Sequence, residues 1–183
     1  MFGGGESAQD AATRCGGKVG ANADAVAFGE VVILAVPFAA VDCALATAGP
    51  FGNRVLWSCV NALTPDLSGL AVGFDTSAAE TVAARARGAR VVAAIPPFAN
   101  AIASGVLRYD AGLEPTVFLC GDDGEAKRAV QGLVRDIGAH PVDAGTLSAA
   151  RFVEPAMMLL VSLAYSGVPR DLGLRLLERT GNA

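Results

Sequence analysis

Positive charge is scarce in this chain, and histidine is almost absent. Of 183 residues, 14 are lysine or arginine against 18 aspartate or glutamate; the net charge is −4, and His140 stands alone. A surface of that sign repels phosphate backbones and anionic lipid, so nucleic acid and membrane surfaces are not expected partners. The cysteines form no pattern: Cys15, Cys43, Cys59 and Cys120 lie far apart with no paired spacing. Neither a disulfide framework nor a zinc-type ligand set is indicated, and with no charged-then-apolar leader at the start a reducing cytoplasm is the expected location. The longest apolar stretch, Pro155 to Ala164, is about half of the roughly 20 residues that cross a bilayer. No G-x-G-x-x-G turn occurs in the sequence.

What the chain does have is apolar content. Apolar residues make up 52% and charged residues 17%, a composition that folds, at a length near that of one domain. The apolar residues come in short runs closed by breakers. Val31 to Pro37 (VVILAVP) has no alternation and reads as a parallel strand covered on both faces rather than a sheet edge. Further strands are expected at 54–60, 90–95, 116–120 and 141–143, with a brief one at Lys18 to Gly20. Between them fall helices ending near Gly16, at 23–28, at 39–47, and after Ser77, which is a natural cap. Another helix follows Gly121, Asp122 and Asp123; its Ala126, Val130, Leu133, Val134 and Ile137 share one face and should pack on the sheet. A closing helix runs from Leu147 to Ala164. Strand and helix alternate with short links, which implies right-handed crossovers and a doubly wound, mainly parallel α/β sheet.

In such a sheet, ligands collect at the carboxyl ends of strands. The residues there are Ala35, Val36, Pro37 and Phe38; Asn61, Ala62 and Leu63; Ile95, Pro96, Pro97 and Phe98; and Gly121, Asp122 and Asp123. Three of the four sets are small, apolar or amide. No cluster suits a metal or a nucleophilic triad, so neither a metal site nor a catalytic side chain is assigned. Such a lining suits flat rings. Hydride transfer between two bound rings needs proximity and no obligatory acid or base, so it is compatible with these residues, as is an absence of catalysis.

Six segments occur in an order that resembles a known family. AVPF at 35–38, NALTPDLSG at 61–69, TSAAE at 76–80, VAAIPPFAN at 92–100, CGDDGEAK at 120–127 and DAGTLSAARFVEP at 143–155 are similar to the NADP-dependent reductases of the deazaflavin coenzyme F420. The resemblance spans nearly the whole chain. It implies a Rossmann-like fold and hydride exchange between NADP(H) and a deazaflavin. By position it places the nicotinamide cofactor against Ala35, Val36, Pro37, Phe38, Asn61, Ala62 and Leu63, and the deazaflavin ring between Ile95, Pro96 and Pro97. Arg151 and Glu154 would anchor the closing helix. The family's opening strand, glycine turn and helix have no counterpart ahead of Phe2 and Gly3. Gly4 and Gly5 stand where the family has a serine and arginine pair for the ribose phosphate. The resemblance therefore implies an N-terminally incomplete Rossmann-like domain, here 1–145, with a helical segment, 146–183, packed on it.

Other residues have plainer readings. Asp122 and Asp123 precede a helix and stabilise its positive end. His140, next to a proline, is expected to be packed or exposed, and Cys59 and Cys120 to be buried structural thiols. Pro96 and Pro97 either shape a ligand wall or simply end a strand. Met157 to Val161 is apolar nearly all round, which suits the core or a second subunit, and a homodimer through the closing helix is expected. Two functions stand side by side: a reductase of NADP and a deazaflavin, or a weak or inactive binding module or a fragment of a longer reductase.

Overall fold

The computed structural model describes residues 8–96, 99–103, 107, 109, 112–167 and 172–179. Expectations at Phe2 to Gly5, Pro97 and Phe98 fall outside these. The strands are β1 (Val31–Leu34), β2 (Val55–Ser58), β3 (Arg90–Ala94), β4 (Thr116–Gly121) and β5 (His140–Asp143), and they form one sheet in the order β1-β2-β3-β4-β5. The helices are α1 (Ala8–Cys15), α2 (Asn22–Phe28), α3 (Val41–Ala48), α4 (Ala78–Arg85), α5 (Ala99–Ala103), α6 (Gly124–Asp136) and α7 (Ala150–Tyr165). Short 3-10 turns lead into α3 and α7. The result is an α/β Rossmann-like fold.

Two apolar layers hold the sheet. On one face Leu56, Val91 and Cys120 meet Leu45 of α3, Ala78 and Val82 of α4, and Leu147 and Ala150 at the start of the closing helix. On the other, Trp57, Val92, Val117 and Leu119 meet Ala126, Val130 and Val134 of α6. The α6 face read from sequence at 126, 130 and 134 is buried, with Leu133 and Ile137 packed at its margin.

Two expectations are corrected. The run at 31–36 is not covered on both faces: β1 is an edge strand among the described residues, and Ile33 is 55% exposed. A continuous apolar run shows that both faces can accept cover, and α6 packs mainly over β3 to β5. Lys18 to Gly20 forms no strand; Gly16 and Gly17 end α1, and the segment after them finds no ladder partner. The sheet is mainly parallel, as expected, with one reversal. β1, β2 and β3 are parallel, as are β4 and β5, but β3 and β4 are antiparallel, with Ala93 opposite Cys120. Gly121 allows the close pairing, since a Cβ there would sit 2.9 Å from the Val91 carbonyl oxygen.

The reversal of β4 turns its ends around. Its first residue, Thr116, lies at the carboxyl edge of β1 to β3, and its last lies at their amino edge. There Asp123 caps α6 through the Ala126 N–H (2.7 Å) and pairs with Arg90 at the start of β3 (3.3 Å). Asp122 accepts from the Leu147 N–H. Both aspartates are therefore structural, and they sit across the sheet from the other three strand ends. His140 opens β5 and is exposed.

The closing helix is longer than its apolar stretch suggests. With its leading 3-10 turn it runs from Leu147 to Tyr165, 19 residues, long and apolar enough by composition to span a bilayer. Its first half is nonetheless pinned to the core through Ala150, Val153, Glu154 and Met157. Phe152 and Leu159 face outward.

Candidate functional site

Three segments meet at the carboxyl edge of β1 to β3. After β1, Ala35 and Pro37 are exposed, while Val36 and Phe38 pack partly against the core. After β2 come Asn61, half-buried, Ala62, fully buried, and Leu63, half-buried. After β3, Ile95 and Pro96 are half-buried. The structure thus brings the sequence-selected sets at 35–38, 61–63 and 95–96 to one edge, in strand order, and leaves 121–123 on the other. None of the described lining residues carries a titratable side chain.

Trp57, which carried no distinct signal in the sequence, fixes the end of β3. Its indole N–H donates to the Ala94 carbonyl at 2.7 Å in a buried bond. That bond sets where the chain leaves the sheet at Ile95 and Pro96. Pro96 then keeps the strand from continuing, because it has no N–H to give to a ladder.

The floor of the edge is built from the closing helix. Glu154, 2% exposed, points its carboxylate at the first turn of α4 and accepts from the N–H groups of Ala78 (2.8 Å) and Ala79 (3.0 Å). Ser77 caps the same turn from the Glu80 N–H at 3.1 Å. Glu80 in turn takes both forks of Arg151, with the Nη2 contact at 2.6 Å. This is the anchoring of the closing helix that the resemblance implied for Arg151 and Glu154. Its electrostatic effect is to seal the positive end of α4 with the protein's own carboxylates. Burial pushes the Glu154 carboxyl above its ordinary value, against the pull of its two backbone N–H partners. The hydrogen bond from Arg151 holds Glu80 below its own.

One atom at this edge is left over. The Asn61 amide nitrogen donates to the Glu154 carbonyl at 3.3 Å, and its Oδ1 is buried with no partner among the described residues. The amide cannot be turned round, because a carbonyl needs a donor opposite it. A buried acceptor without a donor is a costly arrangement that native structures seldom keep without a use.

The amino edge holds a separate groove of about 670 Å³ between α3 and α4, lined by Asp42, Leu45, Ala46, Pro50, Arg85 and Arg87. It is open, shares none of the residues above, and lies at the edge opposite the strand ends. Among the described residues no group of three or more His, Cys, Asp or Glu side chains is placed to hold a metal.

No family model matches the chain. The F420-dependent NADP reductase of Methanothermobacter thermautotrophicus is 30% identical over 163 residues, covering 85% of this chain and 69% of that protein. The F420-dependent NADP reductase of Methanocaldococcus jannaschii is 27% identical over 165 residues, covering 85% and 71%. Among solved structures, one from Arthrobacter sp. FB24, provisionally assigned as an F420-dependent NADP-reductase, superposes with a TM-score of 0.74 over 86% of this chain and 74% of its own, at 23% identity, which speaks for the fold. Identity of 30% over 85% of this chain and 69% of that protein means that the chain belongs to the F420-dependent NADP reductase family.

Proposed function

We propose that this protein is an oxidoreductase that moves a hydride between NADP(H) and a deazaflavin coenzyme of the F420 type. The nicotinamide lies against Ala35, Val36, Pro37, Phe38, Asn61, Ala62 and Leu63, and the deazaflavin ring against Ile95, Pro96 and Pro97. The two rings supply the chemistry, in which a hydride and its electron pair pass from the dihydronicotinamide to the deazaflavin and a solvent proton completes the reduced ring. The protein holds the rings together and keeps water out. A lining without acids or bases suits that task.

The observation that carries the reading is the orphaned Asn61 Oδ1. It is a buried acceptor at the end of β2, within the segment assigned to the nicotinamide, and a carboxamide NH2 is the donor such a ring brings. One neutral hydrogen bond is worth about 1 kcal/mol net, or a factor of roughly five in affinity. Asn61→Ala should therefore raise KM for NADPH about three- to tenfold with the melting temperature little changed. Turnover is followed by loss of deazaflavin absorbance with NADPH present. A wild-type protein that binds both compounds but transfers no hydride would reduce the reading to a binding module. A homodimer in the cytoplasm completes the proposal, on the support of the outward-facing Phe152 and Leu159 of α7.

A further inference from the structure

The C-terminal segment brings a cation to the carboxyl edge. In β4 successive backbone groups point to opposite sides. The Pro115 carbonyl accepts from the His140 N–H, on the β5 side, so the Thr116 N–H faces the β3 side. There it donates not to β3 but to the Leu174 carbonyl, at 2.6 Å. The Thr116 hydroxyl accepts from the Leu176 N–H at 3.0 Å. Ala94 pairs with Leu119, so residue 174 occupies the place that three more residues of β3 would have reached, roughly 10 Å beyond Ala94. The segment is held firmly. The Tyr109 hydroxyl contacts the Leu172 carbonyl, and Gly173 lies so close to the Tyr109 ring that a Cβ would sit 3.0 Å from it.

Arg175 rides on this segment beside the exit of Ile95 and Pro96. Its Nη1 donates to the Glu114 carbonyl at 3.0 Å, and its Nε is buried without a partner among the described residues. Arg54 shows what a structural arginine looks like here: its Nε, Nη1 and Nη2 bond the carbonyls of Gly29, Phe51 and Ala27. Arg151, also at the carboxyl edge, is spent on Glu80. Among the described residues Arg175 has no carboxylate, and a guanidinium with an idle buried donor is a fork for a carboxylate or phosphate.

We propose that Arg175 holds an anionic group of the ring substrate that docks at Ile95 and Pro96. The identity of that substrate rests on the hydride-transfer reading above, so binding and turnover are measured separately. The probes are coenzyme F420, whose side chain is anionic, and a deazaflavin bearing only an uncharged ribityl chain, each titrated by fluorescence without NADPH. The wild-type protein should bind F420 about tenfold more tightly than the uncharged ring. Arg175→Gln should erase the difference and leave the uncharged ring and NADPH unaffected, and Arg175→Lys should restore part of it. Equal wild-type affinity for the two rings would overturn the assignment, as would a variant that weakens both rings alike, which marks a structural role. A loss confined to NADPH would move the anion to the dinucleotide and overturn it too. Charge-dependent ring binding without NADPH oxidation would leave Arg175 in place and remove the hydride reading instead.

Discussion

Glu154 is a buried carboxylate that does the work of a helix cap from 75 and 76 residues away, and its removal should be expensive in a graded way. Glu154→Ala orphans the N–H groups of Ala78 and Ala79 in a site closed to water and leaves a cavity. At about 1–3 kcal/mol for each orphaned donor, the loss should reach about 3–5 kcal/mol. Glu154→Gln keeps one acceptor and the volume, sets an NH2 against the second N–H, and removes a charge that burial disfavours. The last two effects oppose each other, and the net loss should stay below about 2 kcal/mol. Urea unfolding at neutral pH gives both values. The pH dependence is a sharper test. Desolvation raises the folded Glu154 above its ordinary 4.5, with the Ala78 and Ala79 N–H groups pulling it down and the Glu80 charge pushing it up. The folded protein then holds this proton more tightly than the unfolded chain. The contribution is complete below pH 4.5 and is lost as pH rises through the folded value. Wild-type stability minus that of Glu154→Gln should therefore fall as pH climbs above 4.5. Glu80, held low first by its hydrogen bond from Arg151, behaves the opposite way and loses its contribution as pH falls, but it is present in both proteins and cancels. A difference that grows with pH would refute the reasoning, because the two backbone bonds would then outweigh the burial of the charge.

Two further outcomes follow from burial and exposure. Burial pushes the Cys59 thiol up to about 12, and burial with the charges of Glu154 and Asp143 does the same to Cys120. At pH 8 the thiolate fraction of each is on the order of one in ten thousand, so the exposed Cys15 and Cys43 should take up an aromatic disulfide reagent in the native state while the other two wait for unfolding; rapid labelling of all four would contradict the packing. Leu159, 59% exposed on the outer face of α7, should belong to the proposed dimer contact, so Leu159→Glu should convert a dimer seen by light scattering into a monomer with an unchanged circular dichroism spectrum; a monomeric wild-type protein would refute this.

Three of the five strands were legible as apolar runs closed by a breaker: proline at 37 and 96, glycine at 121. The cap at Ser77 and the buried face of α6 followed from spacing in the same way. The direction of β4 was not legible, since a strand's side-chain pattern reads alike from either end. The antiparallel β4 puts Asp122 and Asp123 on the far side from the other strand ends. Asn61 was found by the strand-end rule alone. Glu154 required the family resemblance, and its partners in α4 came only with the fold. Trp57 and Arg175 gave no local signal. Each matters through a backbone carbonyl or N–H of a distant segment, Ala94 for one and Thr116 for the other's neighbours, and no periodicity encodes such a pairing.

The same contacts decide what kind of ligand the carboxyl edge can take. A doubly wound sheet often offers the open N-terminus of the helix after a strand to a phosphate. Here the helix after β2 is closed by Ser77, Glu80 and Glu154, so an anion approaching α4 would meet two carboxylates before it met an N–H. That keeps phosphate from the N-terminus of α4, and the neutral residues at 35–38, 61–63 and 95–96 suit the uncharged rings proposed for this edge. On the β4 side, Arg175 is a described cation with an idle buried donor. The sealed helix and the idle guanidinium thus suit the proposed arrangement, with rings inward over Asn61 and the anionic group of the ring substrate outward toward the C-terminal segment.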